Sequence, residues 1–310
     1  MKAIGLTTTG GPDVLEVLDL PDPAPGEGEL LVRVHAAAVN PTDTTRRAGT
    51  SRRPAGDMPL VPGMDVAGIL EEIGPDTQTT LKVGDRVMGI VVPSGTHGAY
   101  AEKVVLPADS VVAAPRDTSH ALAASLPMNG LTARLALDTL ALPRGGVVAV
   151  SGAAGAMGGY VVQLAKADGL TVVADAADKD EELVRELGAD VVLPRGDDFA
   201  DRVRERYPEG VDGAVDGALL DAALAPAVKD GATIVTVRGY DEKADRGVTF
   251  APIFVGDYAQ ERAKLDQLRK QAESGTVTLR VAAVLSKEEA PEAHRRLEAG
   301  GVRGRIVLAF

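Results

Sequence analysis

The sequence predicts an α/β protein of two domains, one a doubly wound parallel sheet and the other a compact β-barrel-like unit. Three observations predict it. From Val147 to Val237 short apolar runs alternate with helix-period segments, the pattern of parallel strands joined by crossover helices. The first of those runs, Val147-Val148-Ala149-Val150, empties into Gly152, Gly155 and Gly158 before the helical stretch Gly159-Tyr160-Val161-Val162-Gln163-Leu164-Ala165-Lys166. Roughly the first third of the chain carries instead short strand-like runs punctuated by Gly, Pro and Asp, with little helix between them. A chain of 310 residues, 45% hydrophobic and 25% charged, is long enough to bury two cores.

Taken in order, the chain opens on an amphipathic strand pattern. Pro21-Asp22-Pro23-Ala24-Pro25-Gly26-Glu27-Gly28-Glu29 is a turn cluster that introduces the strand Leu30-Leu31-Val32-Arg33-Val34. Gly68 to Ile73, Arg86 to Val92 and Ala99 to Val105 read as further strands. From about Ser119 the period changes, and Ala121 to Leu126 and Gly130 to Leu140 read as helices. After the glycine-loop strand follow strand Leu170 to Ala174, helix Glu181 to Leu187, strand Asp190 to Leu193 and helix Phe199 to Arg206. Strand Gly213 to Asp216, helix Leu219 to Val228 and strand Ala232 to Val237 continue the alternation. A strand-like run at Val248 to Phe254, a helix at Ala259 to Ala272 and a strand at Arg305 to Leu308 close the chain.

The glycine stretch carries the clearest chemistry. Glycine lets the backbone take positive φ and approach a ligand closely, and the first turn of the following helix offers unpaired N–H groups and the positive end of its dipole to a diphosphate. The spacing here is Gly-x-x-Gly-x-x-Gly, so its context carries the assignment: a strand before, a helix after, and a second strand ending at Asp175. Asp175 stands at the distance from which a carboxylate accepts a hydrogen bond from an adenosine ribose hydroxyl.

Ser151-Gly152-Ala153-Ala154-Gly155-Ala156-Met157-Gly158 with Val162-Gln163-Leu164-Ala165-Lys166 resembles the zinc-independent quinone oxidoreductase branch of the medium-chain dehydrogenases/reductases. The resemblance extends through Ala37-Ala38-Val39-Asn40-Pro41-Thr42-Asp43, Val61-Pro62-Gly63-Met64-Asp65-Val66-Ala67-Gly68, Val83-Gly84-Asp85-Arg86-Val87, Leu131-Thr132-Ala133, Leu187-Gly188-Ala189-Asp190 and Gly304-Arg305-Ile306-Val307-Leu308. It implies a Rossmann sheet at 118–258 and a discontinuous GroES-like catalytic domain at 1–117 and 259–310. It also implies an NADPH-dependent or, alternatively, NADH-dependent reductase of quinones or α,β-unsaturated carbonyls. A non-catalytic NADPH-binding protein with a sensing or structural role is the alternative.

Further site residues follow from the same resemblance. It places Asn40 and Asp43 in a segment facing the nicotinamide. There the Asn40 amide donates to a developing enolate or quinol oxygen, holds the nicotinamide carboxamide, or bonds the backbone of an Asn-Pro turn. Asp43 serves either chemistry or a structural hydrogen bond. Thr132 matches a threonine at the nicotinamide end, with Asn129 close by in the sequence. Many relatives carry an aromatic two residues after the Asp43 position, where this chain has Thr45.

Cofactor choice has conflicting signals. Asp175 repels a 2′-phosphate, whereas the resemblance puts Lys179 and Arg195 where NADPH users hold that group. The expectation is NADPH. The alternatives are a surface charge for Lys179 and, for Arg195, a turn residue paired with Asp197 or Asp198. Relatives also imply a homodimer, formed by pairing of the Val248 to Phe254 strand across a twofold axis.

Other classes of function are disfavoured. Zinc-dependent relatives carry a Gly-His-Glu motif where this chain has Gly63-Met64-Asp65, and the protein has no cysteine and only four scattered histidines, His35, His97, His120 and His294. No metal site is expected. A net charge of −12 argues against nucleic-acid binding. No Gly-x-Ser-x-Gly elbow is present, and no apolar run reaches membrane-spanning length. The lack of cysteine fits a reducing compartment, and a cytoplasmic location is expected. Arg46, Arg47, Arg52 and Arg53 crowd cations into an acidic chain; they are read as steering an anionic acceptor or as a solvated loop paired with nearby acids.

Overall fold

A computed structural model describes residues 1–51 and 58–310. In chain order the elements are β1 (Lys2–Gly5), β2 (Glu16–Asp19), β3 (Glu29–Ala38), α1 (Pro41–Ala48), β4 (Asp65–Ile73), β5 (Arg86–Ile90), β6 (Lys103–Pro107) and β7 (Val111–Ala113). Then come α2 (His120–Ala124), α3 (Pro127–Leu140), β8 (Val147–Ser151), α4 (Ala156–Ala167), β9 (Thr171–Ala176), α5 (Glu181–Glu186), β10 (Val191–Pro194) and α6 (Phe199–Arg206). The chain finishes with β11 (Val211–Asp216), β12 (Val228–Thr236), β13 (Thr249–Pro252), α7 (Arg262–Glu273), β14 (Val281–Ser286), α8 (Ala290–Glu298) and β15 (Arg305–Ala309). The chain forms two compact units, the first of 1–128, 256–273 and 279–310, the second of 129–255 and 274–278.

In the first unit the sheet runs β14-β15-β3-β4-β5-β7, with β6 also on β3. Strand β3 turns buried Leu30, Val32 and Val34 to one side, and these pack with Leu70, Val87, Leu106, Ile306 and Leu308 in one core. Register decides what happens at the end of β3: Ala38 lies opposite Asp65 on one side and Val307 on the other. The start of β4, the start of β15 and the turn after β3 therefore converge, carrying Asp65, Arg305 and Asn40 with them.

In the second unit the parallel sheet runs β10-β9-β8-β11-β12-β13. The chain travels outward from β8 through β9 to β10, then returns to β11 beside β8 and travels the other way. The β8/β11 boundary is thus the topological switch point, where such sheets bind ligands beyond their carboxyl ends. Ala149, Val173, Phe199, Val203, Ala214, Ile234 and Phe250 fill one side of this sheet, and α4 contributes buried Tyr160, Val161, Val162, Leu164 and Ala165. Strand β13 lies at the edge of the sheet.

One expected helix is corrected. Leu219 to Val228 is not α-helical; Asp221–Ala227 forms a 3₁₀ segment with Pro226 inside it. The buried Asp216 carboxylate captures the backbone N–H groups of Leu220 and Asp221, and Leu219 and Asp221 take positive φ, which breaks α-helical continuity at the start. Strand β14 and helix α8 were not anticipated. Among the described residues no helix is long and apolar enough to cross a membrane.

Candidate functional site

In the second unit, β8 delivers the chain to Gly152, whose φ of +72° is left-handed. The turn then folds inward on Ala153 and Ala154, both buried, and Gly155 caps α4 with no side-chain hydrogen bond. A Cβ on Gly158 would lie 2.3 Å from the Gly152 carbonyl oxygen, so the first turn of α4 packs directly on the loop backbone. This is a backbone cradle closed by glycine contacts, with Ala156, Met157 and Gly158 in the helix's first turn. It fits a diphosphate, because a helix N-terminus without a side-chain cap offers its N–H groups outward.

Asp175, at the carboxyl end of β9, is 2% exposed and accepts the Ala153 N–H on Oδ1 at 3.0 Å. Its other oxygen lies 3.8 Å from Nε of the half-exposed Arg195. Burial pushes the Asp175 carboxyl above its usual range, opposed by the Ala153 N–H, Arg195 and the Gly152 N–H. Asp175 therefore ties down the glycine loop. Arg195 leans on Asp175, while Asp198 pairs with Arg202 at 2.6 Å. Lys179 is exposed in the turn that follows β9.

A second carboxylate, which sequence reasoning missed, organises the neighbouring turn. Ser151 Oγ donates to Asp216 Oδ1 at 2.6 Å and accepts the Ala218 N–H at 3.0 Å. Asp216 also takes the N–H groups of Leu220 at 3.1 Å and Asp221 at 2.7 Å. A polar residue ending each of two apolar strands was the available signal. Thr132 and Asn129 lie on α3, three residues apart and each 7% exposed.

In the first unit Asn40 and Asp43 are brought together, and both are fully buried. Asn40 Nδ2 donates to Asp65 Oδ2 at 2.8 Å and to the Ala38 carbonyl at 3.3 Å, and its Oδ1 accepts from Arg305 at 2.7 Å. Arg305 also pairs with Asp65 at 2.8 Å, and Asp65 Oδ1 accepts the Met128 N–H at 2.6 Å. Asp43, three residues into α1, accepts the Asn40 N–H at 2.8 Å, the Gly63 N–H at 3.0 Å and the Tyr100 hydroxyl at 3.3 Å. Burial pushes the Asp43 carboxyl up to about 6, with the Asn40 and Gly63 N–H bonds pulling the other way.

Tyr100 also meets His294 Nε2 at 3.3 Å, and burial holds the His294 ring down at about 3, with Arg47 adding to the effect. Arg47 is 2% exposed and paired with Glu298. It is not available to steer an acceptor, which corrects that part of the arginine-cluster expectation; Arg52 and Arg53 lie outside the described residues. Among the described residues no three His, Cys, Asp or Glu side chains come together to hold a metal ion.

Comparisons with known proteins fit this geometry. A model of the alcohol dehydrogenase GroES-like domain matches residues 26–116, and one described as zinc-binding dehydrogenase matches 187–308. A 2-methylene-furan-3-one reductase of Solanum lycopersicum is 30% identical over 99% of this chain and 79% of its own length. The chain belongs to the medium-chain dehydrogenase/reductase superfamily, in its quinone oxidoreductase branch. A quinone oxidoreductase of Rattus norvegicus is 39% identical over 62% of this chain and 58% of its own length. The chain thus matches well under two thirds of that relative.

Among solved structures, a mycobacterial protein complexed with NADPH is 31% identical with TM-score 0.86, each chain covered fully. An NAD-dependent alcohol dehydrogenase is 29% identical with TM-score 0.87, again over the whole of both chains. As a medium-chain oxidoreductase this protein belongs to a nicotinamide-binding family. Among the described residues no three metal-ligating side chains gather to hold the zinc of the second family description, and Asp65 is bound to Arg305.

Proposed function

We propose that this protein is a metal-independent, NADPH-dependent reductase of quinones and α,β-unsaturated carbonyls. The observation that carries the reading is the Asp65–Arg305 pair. Asp65 ends the Gly63-Met64-Asp65 stretch, where zinc-dependent relatives carry Gly-His-Glu, and both of its oxygens are already bonded. A chain with no Lewis acid of its own works best on acceptors that delocalise the incoming negative charge themselves, as quinones and enones do.

The cradle Gly152–Gly158 would hold the cofactor diphosphate, and Arg195 with Lys179 would hold a 2′-phosphate. Asp175 is compatible with that phosphate because its carboxylate is buried, bonded to Ala153 and faced by Arg195. When bound, NADPH supplies the hydride. Thr132 is assigned to hold the nicotinamide or the acceptor oxygen. Asn40 and Asp43 act as positioning residues for the segment that enters α1, since their polar atoms are occupied within the first unit. A homodimer through β13 and a cytoplasmic location complete the reading.

The test is a comparison of NADPH oxidation with a quinone, an enone and a saturated ketone, on wild type and Thr132→Ala. Turnover with the two conjugated acceptors, little with the ketone, and a loss on the order of a hundredfold in Thr132→Ala are expected. NADPH binding without turnover of any acceptor would leave the non-catalytic alternative standing and overturn this one.

A further inference from the structure

We propose that Tyr100 and His294 form a proton line to the buried carboxyl of Asp43, which takes up its proton through a switch of the His294 ring from one tautomer to the other. The line lies within the first unit and holds whether or not the protein is a reductase.

Geometry comes first. Asp43 on α1, Tyr100 ahead of β6 and His294 on α8 are all fully buried. Tyr100 Oη lies 3.3 Å from Asp43 Oδ2 and 3.3 Å from His294 Nε2, so one hydroxyl stands between the carboxylate and the imidazole. Asn40 and Gly63 reach Asp43 only with backbone N–H groups, and the charges acting on it are Asp65, Arg305 and Arg46. Of its bonded partners, Tyr100 is the one that both gives and accepts a proton.

Donor accounting fixes the direction of the bonds. An ionised carboxylate only accepts, so Tyr100 donates to Asp43 and its oxygen accepts from His294, whose hydrogen is then on Nε2 and whose Nδ1 is bare. The ring is neutral, held at about 3 by burial and by Arg47. One added proton reverses every bond: it lands on Nδ1, the Nε2 proton passes to Tyr100 Oη, and the Tyr100 proton passes to Asp43 Oδ2. Asp43, now neutral, donates to Tyr100, Tyr100 donates to Nε2, and Nδ1 carries the hydrogen. Net uptake is one proton, and release runs the same steps backward. Burial pushes the Tyr100 hydroxyl well above its usual range, so its two protons move together rather than through a phenolate. Asp43, pushed up to about 6, is poised to receive the proton near neutral pH.

The far end of the line is built for water. His294 Nδ1 and Arg47 Nε and Nη1 are buried and have no partner among the described residues. Ordered water is what serves buried polar atoms of this kind, and it delivers the proton to Nδ1. Helix α1 packs on α8, and Arg47 is paired with the partly exposed Glu298, so this end stands beside the surface. The neighbouring cations of α8, Arg295 and Arg296, are engaged by Asp13 and Glu292.

NMR of protein carrying isotopically labelled histidine reads the tautomer directly, between pH 8 and pH 5. His294 is identified by elimination with His35→Gln, His97→Gln and His120→Gln. Its ring should stay neutral throughout, with hydrogen on Nε2 at pH 8 and on Nδ1 at pH 5, the tautomer ratio changing about tenfold per pH unit around the Asp43 titration. In Asp43→Asn and in Tyr100→Phe the tautomer should be the same at both pH values. A wild-type His294 that keeps one tautomer from pH 8 to pH 5, or becomes imidazolium in that range, overturns the inference without any variant. A switch of wild-type size persisting in Asp43→Asn or Tyr100→Phe overturns it equally.

Discussion

Replacing Arg305 with Met tests the buried network most sharply. The guanidinium donates to Asp65 at 2.8 Å and to Asn40 at 2.7 Å, and both partners are 0% exposed. Without it, Asp65 keeps only the Asn40 amide and the Met128 N–H. Removing one partner of a buried ion pair costs about 3–5 kcal/mol, because the other charge stays behind uncompensated. At about 2–4 °C per kcal/mol for a sizeable domain, melting should fall by roughly 6–20 °C.

The sign of the pH dependence follows from Asp65, whose carboxyl burial already pushes up against the pull of Arg305. Losing Arg305 pushes it further. An acid with a folded pKa above its unfolded value of about 3.9 binds its proton more tightly when folded, so stability rises as pH falls through that window. Arg305→Met should therefore lose less at pH 5 than at pH 8, and adding Asp65→Asn should recover most of the loss. Thermal melts of wild type, both single variants and the double variant at the two pH values provide the assay. A loss below about 1 kcal/mol, or one independent of pH, would show that Arg305 does not hold a buried Asp65 charge.

Gly158→Ala puts a Cβ 2.3 Å from the Gly152 carbonyl oxygen, so it should destabilise by about 1–3 kcal/mol and weaken cofactor binding; a neutral melt with unchanged titration would count against a closed cradle. Asp43, pushed up to about 6 by burial, should favour the fold increasingly as pH drops from 7 towards 4. Relative to Asp43→Asn, wild type should gain up to about 3 kcal/mol over that range, and a pH-independent difference in melting would contradict it. Arg195→Ala and Lys179→Ala should each lower kcat/KM for NADPH more than for NADH, and equal effects on the two cofactors would remove the 2′-phosphate assignment. Light scattering at micromolar concentration should show a dimer paired through β13, and a monomer would refute that pairing.

The cradle was legible in the sequence because its signal is local: an apolar strand, three glycines and a helix within one continuous stretch. The alternation that defines the parallel sheet was legible for the same reason. The network around Asn40 was not, because its partners Asp65 and Arg305 lie 25 and 265 residues away and meet only through the register of β3 with β4 and β15. Leu219 to Val228 misled because its apolar spacing is helical, while the competing capture of N–H groups by Asp216 is invisible until β11 is in place. The 3₁₀ turn Lys287–Glu289 that leads into α8 had a readable start: Ser286 and Glu289 have capping-box spacing, and the Ser286 N–H does bond Glu289 at 2.8 Å.

Hydride transfer to a conjugated acceptor without a metal can be followed with NADPH carrying deuterium at the transferable position. The protein is dialysed against chelator and supplied with an α,β-unsaturated ketone. One deuterium at the β-carbon of the saturated product and a rate unchanged by chelation are expected. Product without deuterium, or turnover that is lost on chelation and restored by zinc, would contradict metal-free hydride transfer.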